Sequence, residues 1–206
     1  MKNYICINNQ RIELTEEQVK QIIEAQIQPL PGIPLSDIAA GDTIKIGKFE
    51  LVVLEQLDGQ TALILKGMYG KDSAFSSENN NYNGSYVDEK CQAFAQELAE
   101  IIGWDNIVLH KVDLTSDDGL KDYGVIERRS SLITTDMYRK FVDILDTVNP
   151  KCWWWLATPH STKSHENDAW AKCVSPSGFI YYFGYDFGHF GVRPFCILKS
   201  NIFVSK

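Results

Sequence analysis

The chain has 206 residues, enough for one large domain or one domain with a small appendage. A hydrophobic share of 44% can fill a core, and a net charge of -7 argues against nucleic acid as a partner, since phosphate binding needs clustered cations. No basic-then-apolar leader opens the chain and no apolar run reaches membrane-spanning length, so no membrane partner is expected and the protein is expected to be cytoplasmic or packaged in a phage particle.

In chain order, Tyr4–Ile7 and Arg11–Leu14 read as two strands joined by the turn Asn8-Asn9. Thr15-Glu16-Glu17-Gln18 has the form of a capping box, and Val19, Ile22, Ile23 and Ala25 make a short amphipathic stripe behind it. Gln28–Pro34 holds three prolines and a glycine and reads as a stiff linker. The predicted division is therefore a β-hairpin–helix appendage at 1–27, a linker at 28–36 and a main domain at 37–206.

The main domain opens with a meander: Thr43–Ile46, Phe49–Gln56 and Thr61–Leu65, turned at Gly47-Lys48 and Asp58-Gly59. Ser85 and Asp88 begin a helix whose Val87, Cys91, Phe94, Ala95, Leu98 and Ile102 recur at helical spacing, with Gly103 as its stop. Ile107–Leu114 reads as a strand and Thr115–Gly119 as a polar loop. Thr135-Asp136 caps a second helix carrying Tyr138, Phe141, Val142 and Leu145, ended by Asn149-Pro150. Only short strands and loops follow. Meander, helices and β-rich tail in that order make an α+β fold.

The tail concentrates the unusual chemistry. Trp153-Trp154-Trp155 on a strand sends its outer rings to one face and its middle ring to the other, which predicts two rings in the core and one covering a loop. Arg193, between Val192 and Pro194, is expected to be a buried guanidinium holding loop carbonyls or a carboxylate. From Phe179 to Phe190 the rings of Phe179, Tyr181, Tyr182, Phe183, Tyr185, Phe187 and Phe190 exceed what one strand face can bury. A strand buried on both faces and a displayed surface both remain open. Gly184, Gly188 and Gly191 favour display, and the mixture of rings with Asp186 and His189 is that of a binding surface.

Other constellations are weaker. Cys6, Cys91, Cys152, Cys173 and Cys196 are odd in number and lack metal spacing, so buried reduced thiols are expected. Asp117-Asp118-Gly119 lacks the ligand spacing of a calcium loop and reads as a solvated turn. His160 and His165, with Glu166 and Asp168, have no cysteine near to complete a metal set. No cofactor, metal or catalytic residue is assigned.

Trp153–Pro159, Val174-Ser-Pro-Ser-Gly178, the aromatic run and Gly191-Val-Arg-Pro-Phe195 together resemble the tail of an uncharacterised bacterial and phage domain family with a C-type-lectin-like fold. In that family a "WWLRSP"-like and a "GVRPAL"-like strand flank a "V…SG" hairpin. The resemblance is specific over 150–198, extends from about residue 38, and leaves the N-terminal unit outside. Fold relatives include retroelement-diversified variable proteins, whose C-terminal loops carry ligand contacts, and residues 177–191 fall within the set that such mutagenesis reaches. The Glu-Pro-Asn and Trp-Asn-Asp calcium–sugar motifs and the paired cysteines of the formylglycine-generating enzymes are absent, so neither activity is implied.

The reading is a non-enzymatic domain that binds a protein or other macromolecule through Phe179–Phe190, aided by the 160–168 loop, with Trp154 at its base. One alternative is a phage or bacterial structural protein whose aromatic run is a homo-oligomer interface. Another is a metal-dependent enzyme using His160, His165 and Asp168.

Overall fold

The structure, a computed structural model, describes residues 3–7, 10–19 and 32–206. The chain divides into two units, Met1–Gly32 and Ile33–Lys206. In the first, β1 (Asn3–Ile7) and β2 (Gln10–Leu14) pair antiparallel from Asn3↔Leu14 to Ile7↔Gln10. The capping box forms: Gln18 N–H donates to Thr15 Oγ1 at 3.2 Å while Thr15 N–H donates to Gln18 Oε1 at 2.9 Å. Residues 16–19 are helical; the turn Asn8-Asn9 and the stripe residues Ile22, Ile23 and Ala25 lie outside the described residues.

The second unit begins earlier than the linker reading allowed. Ile33–Pro34 is a strand (β3) paired with a C-terminal strand, Phe203–Val204, and Leu35 is wholly buried, so 33–36 belong to the folded unit. Residues 28–31 lie outside the described residues.

Strands β4 (Thr43–Ile46), β5 (Phe49–Leu57) and β6 (Gln60–Leu65) form the expected meander. It is extended by β7 (Ile107–Val108), β10 (Ser130–Ser131) and β14 (Phe195–Lys199) into a six-stranded sheet ordered β10-β14-β6-β5-β4, with β7 also on β14. Alternation along β5 divides the core: Leu51 and Val53 face one layer, Val52 and Leu54 the other. The first layer is closed by α1 (Tyr86–Ile102) through Phe94 and Leu98. Ser85 caps that helix by accepting from Asp88 N–H at 3.2 Å, and Gly103 ends it at φ +80°.

The opposite layer holds α2 (Thr135–Lys140) and α3 (Val142–Thr147). One helix capped by Thr135 was expected; Thr134 is the cap, accepting from Met137 N–H at 3.2 Å. The run breaks at Phe141, whose N–H is shared between the carbonyls of Met137 and Tyr138. The single strand expected over Ile107–Leu114 is also divided. Leu109 stands exposed between β7 and β8 (His110–Asp113), and β8 pairs instead with β9 (Val125–Arg128).

A second sheet carries the tail: β11 (Trp154–Pro159), β12 (Trp170–Val174) and β13 (Ile180–Gly184) in the order β11-β12-β13. With β15 (Phe203–Val204) the architecture is α+β, and every pair of named strands is antiparallel. Among the described residues no helix is long and apolar enough to cross a membrane.

His110 tests the packing beneath β14. Its Nε2 lies 2.9 Å from Ser131 Oγ and its ring meets Phe195 edge-on at 5.1 Å. Burial pushes this imidazole from 6.5 down to about 4. Between those values the unfolded chain binds the proton and the folded one does not, so stability present above pH 6.5 is lost as pH falls toward 4. The loss from this one group is expected to be roughly 3 kcal/mol. Urea unfolding at neutral and acid pH should show it, and His110→Gln should flatten it.

Candidate functional site

The hairpin β12–β13 displays the aromatic run. Its turn is Val174–Gly178, where Gly178 adopts φ +86° and a Cβ would lie 2.8 Å from Asp146 Oδ1, so glycine is required both by backbone and by space. Cys173↔Tyr181 and Lys172↔Tyr182 fix the register. Tyr181 and Phe183 therefore turn to the face of Trp153, while Tyr182 turns to the other.

The run is neither wholly core nor wholly displayed. Phe179 is 64% exposed, Tyr181 49%, Tyr182 47% and Phe187 40%; Asp186 and His189 are exposed as well. Phe183 and Tyr185 are half-buried against the core. Phe190 is a correction: it is buried, stacked parallel on Trp153 at 5.3 Å and tilted on Trp155 at 4.6 Å, so it supports the surface from beneath. Phe183 and Phe187 pack on Phe190 at 5.0 and 5.1 Å. Tyr181, Phe183 and Phe187 thus rest on Trp153 and Phe190, which restricts their motion.

Trp154 is the second correction. It was expected at the base of the contact surface, but it is fully buried in the opposite core layer beside Tyr138, with Nε1–H donating to Asn149 Oδ1 at 3.2 Å. The alternation that places Trp153 and Trp155 under the rings necessarily turns Trp154 away. Trp155 is core and Trp153 half-buried, so two of the three rings are core, Trp154 and Trp155. Arg193 is fully buried, with Nε donating to Leu65 O at 2.8 Å and Nη2 to Val148 O at 3.1 Å.

On the Tyr182 face the structure brings in His160, from the loop expected to aid binding, and Trp170 and Lys172, which sequence reasoning missed. His160 stacks on Tyr182 with centroids 4.1 Å apart, and Trp170, 40% exposed, meets the same ring edge-on at 5.7 Å. Lys172 lies under that ring at 5.7 Å and donates to Asp117 Oδ2 at 2.9 Å. The missed signal was pairing: residues 170 and 172 alternate on β12 toward the face that Tyr182 takes on β13.

The 160–168 loop is fastened by two carboxylates, Asp118, which was expected only to line a solvated turn, and Asp122. Asp118 Oδ2 accepts from Ser161 Oγ at 2.7 Å and from His165 Nδ1 at 2.9 Å, and Asp122 Oδ2 accepts from Thr162 Oγ1 at 2.7 Å. The Ser116 hydroxyl, followed by Ser161 and His165, holds the Asp118 carboxyl well below the usual range. Asn80, fully buried, donates through Nδ2 to the carbonyls of Ser161 and Trp170.

His160 and His165 point to different partners, Tyr182 and Asp118, and the Asp168 carbonyl accepts from Asn80 N–H. Among the described residues no group of three or more His, Cys, Asp or Glu is placed to hold a metal. Burial pushes the thiols of Cys173 and Cys196 up to about 12 and Cys91 higher still, which makes them poor nucleophiles. Cys152 departs from expectation in being exposed, and Cys6 lies outside the residues whose burial is described. Grooves of about 600 and 750 Å3 lie elsewhere, the first floored by Phe49, Leu65 and Met68, the second beside Ile107 and Leu109. The exposed rings line neither.

No family model, no curated protein and no solved structure matches the chain.

Proposed function

We propose that residues 33–206 form a non-enzymatic recognition domain of the C-type-lectin-like kind, whose contact surface is Phe179, Tyr181, Tyr182 and Phe187, extended by Trp170 and His160. The observation that carries this reading is four rings 40–64% exposed around one hairpin, with Tyr181 resting on Trp153, Phe187 on Phe190, and Tyr182 stacked on His160 on the opposite face. Exposed rings cost solvation in an isolated soluble domain, so several of them on one hairpin mark a segment that is covered in use. Rigid rings beside the exposed Asp186 and His189 have the composition of interaction hot spots, where aromatic anchors bind and polar neighbours orient. An open platform, rather than a cleft, fits a macromolecule better than a small molecule. The C-type-lectin-like assignment is supported by the order of meander, helices and β-rich tail, and by the flanking of the 174–178 turn by strands at 154–159 and 195–199.

The test is photo-crosslinking. A benzophenone amino acid at position 187 should capture a distinct protein in producing cells, and the same probe at Lys90 should not. The captured protein, once purified, should bind the Phe179→Ser/Phe187→Ser variant at least about tenfold more weakly than wild type, with the fold unchanged. Equal binding by that variant, or equal capture from Lys90, would remove the reading.

A further inference from the structure

Strand β13 is a sheet edge that nothing described covers. Ser175 N–H donates to Phe179 O at 2.9 Å and Tyr185 N–H to Ala169 O at 3.0 Å, which sets the phase of the β12–β13 ladder. Antiparallel alternation then turns the backbone groups of Tyr181 and Phe183 inward and those of Ile180 and Tyr182 outward. Those outward groups, an N–H and a C=O on each residue, have no partner among the described residues.

Soluble proteins guard such edges with charge, proline or a bulge. Ile180-Tyr-Tyr-Phe-Gly184 carries none of these, and its register with β12 is unbroken. Several other edges among the described residues are managed. The β8–β9 ribbon carries Lys111, Asp113, Glu127 and Arg128; Ser205 bridges to β4 at Lys45; the Ile133 carbonyl accepts from Ala157 on β11.

We infer that β13 pairs antiparallel with β13 of a second copy of this chain, about a two-fold axis at Tyr181. In that register Ile180 faces Tyr182 of the second copy and the reverse, so all outward groups are satisfied. A register centred one residue later would instead engage Gly184, where Phe187 already donates to the carbonyl and Asp186 Oδ1 lies over the backbone. Although each chain carries a net charge of -7, no charged residue of the strand opposes the pairing. The two three-stranded sheets join into one, and the exposed rings of both copies become neighbours, so each copy contributes to a composite aromatic platform.

The area argues for a second copy that dissociates. At roughly 150–250 Å2 per ring, the half-exposed Phe179, Tyr181 and Tyr182 supply roughly 450–750 Å2 across two copies. Two paired edges raise this toward the roughly 1,200 Å2 at the low end of specific interfaces. The dimer is therefore expected to form between micromolar and millimolar concentration.

Sedimentation velocity across that range, with amide hydrogen exchange, tests the pairing. The expected result is a concentration-dependent dimer in which Ile180 and Tyr182 amides slow on association while Tyr181 and Phe183 amides are protected throughout. Tyr181→Lys, which sets two cations face to face at the axis, should raise the dissociation constant at least about tenfold. Tyr182→Pro deletes an outward N–H on each copy and should do the same. A chain still monomeric at millimolar concentration overturns the inference, as does a dimer lacking the alternating exchange pattern. The pairing shares the strand with the proposed recognition surface but not its test. A monomer leaves ligand recognition standing, and unimpaired ligand binding by the Phe179/Phe187 variant removes recognition alone.

Discussion

Trp155→Ala is expected to destabilise the second unit by about 3–5 kcal/mol, measured by denaturant unfolding. The indole is fully buried, meets Phe75 at 5.5 Å and Phe190 at 4.6 Å, and donates through Nε1 to Ser73 O at 2.9 Å. Removing it opens a cavity and leaves the Ser73 carbonyl unpaired. It also removes the support under Phe190, on which Trp153, Phe183 and Phe187 rest, so the surface rings should lose their order along with the stability. Tyr181→Ser and Phe187→Ser should by contrast cost only about 1–2 kcal/mol each, because roughly half of each ring already lies in water. The contrast within one aromatic cluster separates floor from display.

Arg193→Ala is the second large effect, expected at about 3–5 kcal/mol. The guanidinium supplies the donors to the Leu65 and Val148 carbonyls and lies 5.2 Å from the Trp154 ring. Alanine would strand those buried carbonyls, lose the cation–π contact and leave a void between the sheet and the α3 end. Burial pulls this side chain down to about 10, with Tyr138 and Cys152 acting the other way. Nη1 has no hydrogen-bond partner among the described residues. A buried cation without a carboxylate carries an uncompensated desolvation cost, so Arg193→Met, which keeps the volume and drops the charge, should recover at least half of the loss. A loss under about 1 kcal/mol for Arg193→Ala would mean that the guanidinium does not hold those strands together.

Period and punctuation made most of the fold legible in the sequence. The meander followed from turns at Gly47-Lys48 and Asp58-Gly59, and α1 from a cap, an apolar stripe and a glycine stop. Elements without periodicity escaped. β9 and β10 are short, and Ser130 and Ser131 are buried by the β14 pairing rather than by any apolar character of their own. The break at Leu109 also depends on two different sheets claiming residues on either side of it. In each case a long-range partner decides, and local residue type does not reveal it.

The site was legible in composition and illegible in depth. Counting rings showed that one strand face could not hold them, yet Phe190 and Phe187 differ only in which side of the 184–190 turn packs on Trp153 and Trp155. Trp154 shows the opposite case: the alternation in the triplet already turned it from its neighbours, and placing it beneath the display surface set that periodicity aside. Trp170 and His160 were missed as ring partners because their role depends on the register of β12 against β13. Asp118 was read as a turn residue and Asp122 was not singled out, since a carboxylate that ties down a loop across 40 or more residues leaves no local mark.

Hydroxyl-radical footprinting of the dilute, monomeric chain tests the display of these rings most directly. Phe179, Tyr181, Tyr182 and Phe187 should be oxidised readily, while Phe190, Trp154 and Trp155 should stay protected until the chain unfolds. Protection of the first four to the level of the last three would contradict an exposed aromatic surface, and the recognition reading would fall with it.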